Sequence, residues 1–450
     1  MLKKILIALL VIILVVAAAL WFLSRPDHAR LSNAELTGRV PVLSAVRTQP
    51  IPTIRVAEAV GWSAGAAPTA APGLTVTRFA EGLDHPRQML VLPNGDVLVA
   101  ESAAPAKEPS GISGWIETRI MSRAGAVVPS ANRITLLRDA DGDGVAEVKT
   151  PYITGLNSPY GMVLVGSTLY VANTDALLAF DYDPAASRIT VAGRKIVDLP
   201  ANGPNSHWTK SLAAGPDGIL YVGIGSNSNI ANGGLEQERG RAQVIEVQPS
   251  TGVKRSFASG IRNPSGLATH PVTGDIWATV NERDMLGSDM VPDYLTRVDF
   301  GAFYGWPWYY WGGFTDTRVN PDPLDRAQYV RRPDYALGVH VAPLGFSFAN
   351  SDALGSPWAN GTFIALHGSW NRSPTAGYKV IFVPFGTNGK PLDALPIDIL
   401  SGFVSADGKA MGRPADARQA RDGALLVADD VGNIVWRVSR PAAAAAQTAR

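Results

Sequence analysis

The sequence predicts an all-β fold, a six-bladed β-propeller, preceded by a single N-terminal transmembrane helix or signal anchor. Three observations lead there. One unit recurs six times: a polar loop, a short β-rich run, a tight turn and a second β-rich run. The copies are spaced irregularly, at about 50 to 80 residues, which suits four-stranded blades with loop insertions. Ahead of them lies one long apolar run, Ile5 to Leu23.

That run comes after Lys3 and Lys4 and is near the minimum length that crosses a bilayer. The lysines place the N-terminus in the cytoplasm and send the rest of the chain across the membrane. Ala17-Ala18-Ala19 could serve a signal peptidase, but Leu20-Trp21-Phe22-Leu23 continues the apolar run, so an uncleaved anchor is expected. Residues 1–25 are thus the anchor or signal segment. Residues 26–72, rich in Pro, Ala and Arg, read as a linker. The propeller occupies 73–440, and 441–450 reads as a disordered tail.

The six copies run in order along the chain. Gly82-Leu83-Asp84-His85-Pro86-Arg87 leads the first, Gly155 to Pro159 the second, and Asn202 to Lys210 the third. Gly260-Ile261-Arg262-Asn263-Pro264 leads the fourth, a looser copy spans Val341 to Trp370, and Gly412-Arg413-Pro414 leads the sixth. A sheet-forming unit cannot bury both of its faces alone, so six copies stack around a channel. The loops before the inner strands then converge at one mouth.

The third loop carries His207. Neutral imidazole is the usual general base near pH 7, although a lone His in a loop is equally a structural residue. Arg262, Arg372 and Arg413 each lie at an inner-strand end. Converging there they would suit a ligand with several carboxylates or phosphates; tying loop carbonyls together is the alternative. Asp139, Asp141 and Asp143 alternate with small residues and Glu147 comes after them, a loop whose oxygens could surround Ca²⁺ in a structural role. Thr150 stands where an EF-hand has its final Glu, so this is not an EF-hand. Tyr304, Trp306, Trp308, Tyr309, Tyr310 and Trp311 read as core more than as a sugar platform. Glu282, Arg283, Asp284, Asp289 and Asp293 could ligate a cation or pair with one another. The chain has no Cys, which excludes disulfides and thiol chemistry, and its net charge of +1 gives no reason to expect nucleic acid.

These motifs, with SHWTKSLAAGPDGILYVGIGS, GIRNPSGLA, VNERD, FYGWP and GRPADA among them, resemble the glucose/sorbosone dehydrogenase family, and its sorbosone dehydrogenase branch most. The resemblance covers roughly Gly73 to Val438. It implies a periplasmic, inner-membrane-anchored oxidoreductase that uses pyrroloquinoline quinone (PQQ) and Ca²⁺ to oxidise an aldose or aldehyde. Electrons would pass to a quinone or cytochrome. By the same likeness His207 takes the place of the catalytic base. Arg262 and Asn263 match the pair beside the quinone carbonyls, and Arg262 would also stabilise charge on them. Arg413 and Asp430 match the cofactor rim, and Arg372 stands in the region of a cofactor-binding Lys. Glu282 and Arg283 would offer main-chain oxygens to the active-site Ca²⁺. The chain departs from the family at Ser206, where sugar-binding relatives carry an acid, and at Arg283-Asp284, where they carry Gly-Pro. A non-redox carbohydrate-binding propeller and a propeller lactonase are the alternatives. The Arg- and Asn-rich mouth favours an anionic cofactor over a lactonase metal.

Overall fold

The computed structural model describes residues 2–23, 25–49, 53–107 and 111–441. Of the tail expected at 441–450, residues 442–450 lie outside the described residues.

Each sequence repeat is the inner half of a blade. In blade 1, Pro86–Val91 pairs with Val97–Glu101, and Arg133–Arg138 and Val148–Ile153 complete an antiparallel sheet. Blade 2 runs through Met162–Val165, Thr168–Ala172, Ala176–Asp181 and Arg194–Asp198. Blade 3 runs through Lys210–Ala214, Leu220–Ile224, Gln243–Val247 and Lys254–Ser259. Blade 4 uses Pro264–Thr269, Ile276–Val280, Pro292–Arg297 and Tyr335–Val339. Blade 5 uses Pro343–Phe348, Gly361–Leu366, Lys379–Pro384 and Ile397–Ser401. Blade 6 takes Pro414–Gln419, Leu425–Asp429 and Ile434–Ser439 from the C-terminal end, and Thr75–Glu81 supplies its outer strand. That pairing ties the two ends of the propeller together and closes the ring.

The second strands of blades 1, 4 and 6, Val97–Glu101, Ile276–Val280 and Leu425–Asp429, are buried at every position. A sheet covered on both faces needs apolar side chains in both directions, which is why these strands read as continuous runs. Val97, Val99, Leu426 and Ala428 fill the space between blades 1 and 6.

Four innermost strands begin with proline: Pro86, Pro264, Pro343 and Pro414. Proline lacks an N–H and suits the first residue of a strand. The ladder register shifts directly after each of these prolines. A bulge at this place bends the strand entry and aims side chains into the mouth.

The stretch 26–72, expected as a linker, is packed on the propeller. Thr37–Gly38 extends blade 4 and Thr69–Ala70 extends blade 5. Before and between them the chain straps across the mouth side. Ala29 N–H donates to Ser373 O, Arg55 N–H to Trp370 O, and Val60 N–H to Ala410 O. Trp62 Nε1–H donates to Asp429 Oδ2 at 2.7 Å. The linker expectation came from composition, which does not reveal that backbone groups find partners on a distant edge. A helix, Gly111–Arg123, sits in the long loop after the second strand of blade 1.

The first helix, Leu2–Leu23, holds 22 residues. Its side chains are described continuously only over 3–19, and among the described residues no helix is long and apolar enough to cross a membrane.

Candidate active site at the channel mouth

Inner strands run from the mouth to the far face, so the loops before them, and those joining second to third strands, gather at the mouth. His207, Arg262, Asn263, Glu282, Arg372, Arg413 and Asp430 all belong to such loops.

His207 lies on the loop entering blade 3. Its Nδ1 stands 2.8 Å from Ser226 O, which fixes the proton on Nδ1 and leaves the lone pair on Nε2. Burial first, and then the Arg262 guanidinium, push its pKa down to about 3, so the ring is neutral. Gly225 makes the packing possible: a Cβ there would collide with His207 Cβ and fall 2.6 Å from Asn263 Oδ1. Asn263 is 9% exposed and its Oδ1 has no hydrogen-bond partner.

Across the mouth, Asp430 is buried and holds three groups. Its carboxylate accepts from Arg87 Nη1, and from His367 Nε2 at 2.8 Å, and His85 Nε2 stands 3.6 Å away. Burial alone would raise the Asp430 pKa; His367, His85 and Arg87 reverse this and hold it far below the usual carboxylate range. Burial in turn pushes His367 down to about 4, which leaves Arg87 as the partner charged at neutral pH. Arg413, itself only 5% exposed, donates to His367 O, Gly368 O, Tyr378 Oη and, at 3.5 Å, Ala124 O, with its guanidinium 5.1 Å from the Tyr378 ring centre, so like Arg262 it acts on the mouth mainly through its charge.

Four buried polar atoms at this mouth lack partners: Arg87 Nε, Asn173 Oδ1, Asn263 Oδ1 and Asn371 Oδ1. They come from four different blades. An unpartnered buried polar atom is costly, and four of them on loops and strand entries of the mouth mark a place for a polar ligand. Arg87 Nε is a donor and the three amide oxygens are acceptors, so with the Arg87 and Arg413 charges the set fits a ligand that carries both anionic groups and N–H or O–H donors, as a quinone with carboxylates and a pyrrole N–H does.

Three expected roles change. Arg372 does not offer its guanidinium to the mouth. It is 3% exposed, and Nε and Nη1 donate to Ser288 O and Pro374 O beneath the strap. Arg283 is buried among Glu282, Asp316, Pro307 O and Tyr309 O, so its side chain braces blade 4. Arg262 has every N–H engaged within the protein: Nε by Asn229 O, Nη1 by Asn281 O and Glu282 O, and Nη2 by Asn229 Oδ1 and Asp284 Oδ2. It acts on the mouth through charge, with no donor left for a quinone oxygen. The neighbouring acids pair with arginines too, Asp289 with Arg47 and Asp284 with Arg262. Asp293 accepts from Glu282 N–H and Ala342 N–H, and burial pushes its pKa up to about 8.

The sequence reading missed Arg87, His85, Asn229 and Arg318. Arg87 and His85 stand in the first repeat, at the positions just after and just before its Pro, where alignment with the other copies could have found them. Arg318 lies in an irregular insertion with no counterpart in the other copies. The aromatic cluster is core: Tyr304, Trp306, Tyr309, Tyr310 and Trp311 are all at most 5% exposed.

The loop from Asp139 to Glu147 joins the third and fourth strands of blade 1, on the face opposite the mouth. One carboxylate oxygen from each of Asp139, Asp141, Asp143 and Glu147 lies within 4.8 Å of the others. Asp139 also accepts from Gly142 N–H and Gly144 N–H, which curls the loop.

The TrAA12-like family profile matches residues 68–292 and 318–436 of this chain. A PQQ-dependent pyranose dehydrogenase of Coprinopsis cinerea is 26% identical over 351 residues, 67% of this chain and 46% of that protein. This chain therefore spans about half of that relative. A PQQ-dependent sugar dehydrogenase of Hypocrea jecorina is 22% identical over 72% of this chain and 77% of its own. Among solved structures, the calcium structure of the Trichoderma reesei family AA12 enzyme superposes with a TM-score of 0.67 at 19% identity, covering 86% of this chain and 99% of that one. The holo PQQ domain of the Coprinopsis pyranose dehydrogenase superposes with a TM-score of 0.65 at 21% identity, covering 86% of this chain and all of that one. These superpositions show a shared fold, and the profile, which spans most of the propeller, shows more: the chain belongs to the TrAA12-like family, the group of β-propellers related to the PQQ-dependent sugar dehydrogenases.

Proposed function

We propose that the mouth binds PQQ and that the protein oxidises an aldose or aldehyde, sorbosone- or glucose-like, with His207 as general base. The observation that carries this is the set of unpartnered polar atoms on the mouth loops, together with the Arg87 and Arg413 charges. Bound there, PQQ supplies a two-electron acceptor for hydride. The residues of the chain do the rest. Arg87 and Arg413 offer charge to carboxylates, and the free Asn263 Oδ1 accepts from a ligand N–H or a substrate hydroxyl. His207 Nε2 accepts the hydroxyl proton while Ser226 O holds the ring by Nδ1–H. A base of pKa about 3 is weak at neutral pH, and its second depressing cause is the Arg262 charge. A polyanion beside Arg262 offsets that charge and raises the His207 pKa toward the working range.

We further propose that the first helix anchors the protein in the inner membrane with the propeller in the periplasm. Its described apolar side chains, Ile5 to Val16, are exposed on every face of the helix, as lipid contact requires. A membrane quinone or cytochrome would take the electrons. The Asp139 loop is proposed to hold a structural Ca²⁺.

The test is a titration of purified protein with PQQ, followed by dye reduction with an aldose or aldehyde. His207→Ala should take up PQQ as the parent does and lose roughly 10²–10⁴-fold in turnover, the contribution of a positioned base. A parent that takes up no PQQ at micromolar cofactor sinks the reading, and a non-redox carbohydrate-binding propeller replaces it.

A further inference from the structure

The family resemblance implies calcium at the mouth, and the segment expected to hold it is Asn281 to Met285. A calcium site there would draw on main-chain oxygens, six to eight oxygen ligands in all. In this chain four of those five main-chain oxygens, all but that of Arg283, already accept from guanidinium groups. Arg262 Nη1 donates to Asn281 O at 3.3 Å and to Glu282 O at 2.6 Å. Arg318 Nη1 donates to Asp284 O at 2.9 Å and to Met285 O at 3.2 Å. The nearby side-chain oxygens are committed as well. Asn229 Oδ1 and Asp284 Oδ2 accept from Arg262 Nη2, and Asp316 holds Arg318 by Nη2 at 2.7 Å. Arg283 adds a third guanidinium, paired with Glu282 and Asp316.

Three guanidinium groups already meet three carboxylates around this segment: Arg262 pairs with Asp284, Arg283 with Glu282 and Asp316, and Arg318 with Asp316. A divalent ion would have to displace a guanidinium from its oxygens and would meet the remaining two at short range. The residues present do not fit calcium.

We infer that this chain recruits its anionic cofactor without a mouth metal, and that the guanidinium groups of Arg262 and Arg318 hold the main-chain oxygens that a calcium ion would otherwise use. The inference rests on the PQQ reading above and narrows it. Arginine suits this role because its charge is permanent and its planar fork spans two carbonyl oxygens at once.

The experiment is calorimetric titration of the full chain with PQQ, once in excess EDTA and once in millimolar Ca²⁺. The two dissociation constants should agree within about threefold, and a loss of tenfold or more in EDTA, about 1.4 kcal/mol, overturns the inference. The distal Asp139 loop does not confuse the readout, because it lies on the opposite face. Arg318→Met frees Asp284 O and Met285 O. It should bring calcium dependence with it: uptake at least about tenfold weaker in EDTA than in Ca²⁺, with folding checked by circular dichroism. A folded Arg318→Met variant indifferent to calcium also counts against the inference. Should that variant not fold, the parent titration alone decides. Uptake only with Ca²⁺ overturns this inference and leaves the PQQ reading standing, whereas no uptake in either buffer removes both.

Discussion

Replacing Asp430 with Asn tests how the mouth is held together. In the parent, the Asp430 carboxylate accepts from Arg87 Nη1 and from His367 Nε2, and its side chain is fully buried. Asparagine keeps the shape and one acceptor but removes the charge. What is lost is a charge-assisted hydrogen bond, about 1.5–3 kcal/mol, rather than the whole pair. The propeller from Thr75 to Ser439 contains 365 residues. At about 2.1 cal/mol/K per residue its unfolding entropy is about 0.8 kcal/mol/K, so the loss converts to a Tm lower by about 2–4 °C. Scanning calorimetry at neutral pH reads it directly. Asp430 was expected on the cofactor rim, and the same variant separates direct contact from support. If the carboxylate only holds Arg87 and His367, removing a negative charge from the mouth leaves PQQ uptake unchanged or tighter. An unchanged or raised Tm would refute the pairing argument. Uptake weakened tenfold or more would show that the carboxylate itself touches the cofactor.

Three further outcomes are expected. Burial lowers the pKa values of His85, His207, His340 and His367 from 6.5, to about 3 for His207 and about 4 for His367. At these four histidines the unfolded chain binds more protons below about pH 6.5. The resulting loss of stability toward about pH 4 should outweigh the opposite contribution of the buried acids Asp293, Asp416 and Asp429, whose pKa values are raised, and a Tm at about pH 5 equal to that at pH 7.5 would contradict it. Replacing Asp139 and Asp141 together by Asn should lower the Tm measured in Ca²⁺ and abolish its sensitivity to EDTA, with turnover per folded molecule unchanged; a parent whose melting ignores EDTA has no calcium in that loop. Full-length protein expressed in a Gram-negative host should pellet with membranes and resist a salt wash; an N-terminus found near Leu20 would mean that the segment is a cleaved signal.

The six blades were legible because each inner strand pair carries its own signal: an apolar run, a Gly-containing turn and a second apolar run, all within about 25 residues. His207, Arg262, Asn263 and Arg413 were legible as mouth residues for the same reason, since a loop that opens an inner strand must lie at the mouth. The cluster of Asp139, Asp141, Asp143 and Glu147 is likewise local, and its oxygens converge within one loop.

What each guanidinium does was decided by the tertiary structure alone. Arg262, Arg372 and Arg413 look equivalent in the repeats. Arg372 is buried under a strap more than 300 residues away in sequence, where Ala29 N–H meets Ser373 O. Arg262 is closed in by Asn229 from blade 3 and Asp284 from its own blade. Arg413 remains in the mouth, beside His367. The outer strand of blade 6 and the strap over residues 25–49 and 53–62 were also beyond local reading, because their partners lie at the other end of the chain. Hydrophobic pattern acts between neighbours in sequence and fixes which segments become strands. Hydrogen-bond partners for a long charged side chain are set by which loops the closed ring brings together, and that appears only once the ring has closed.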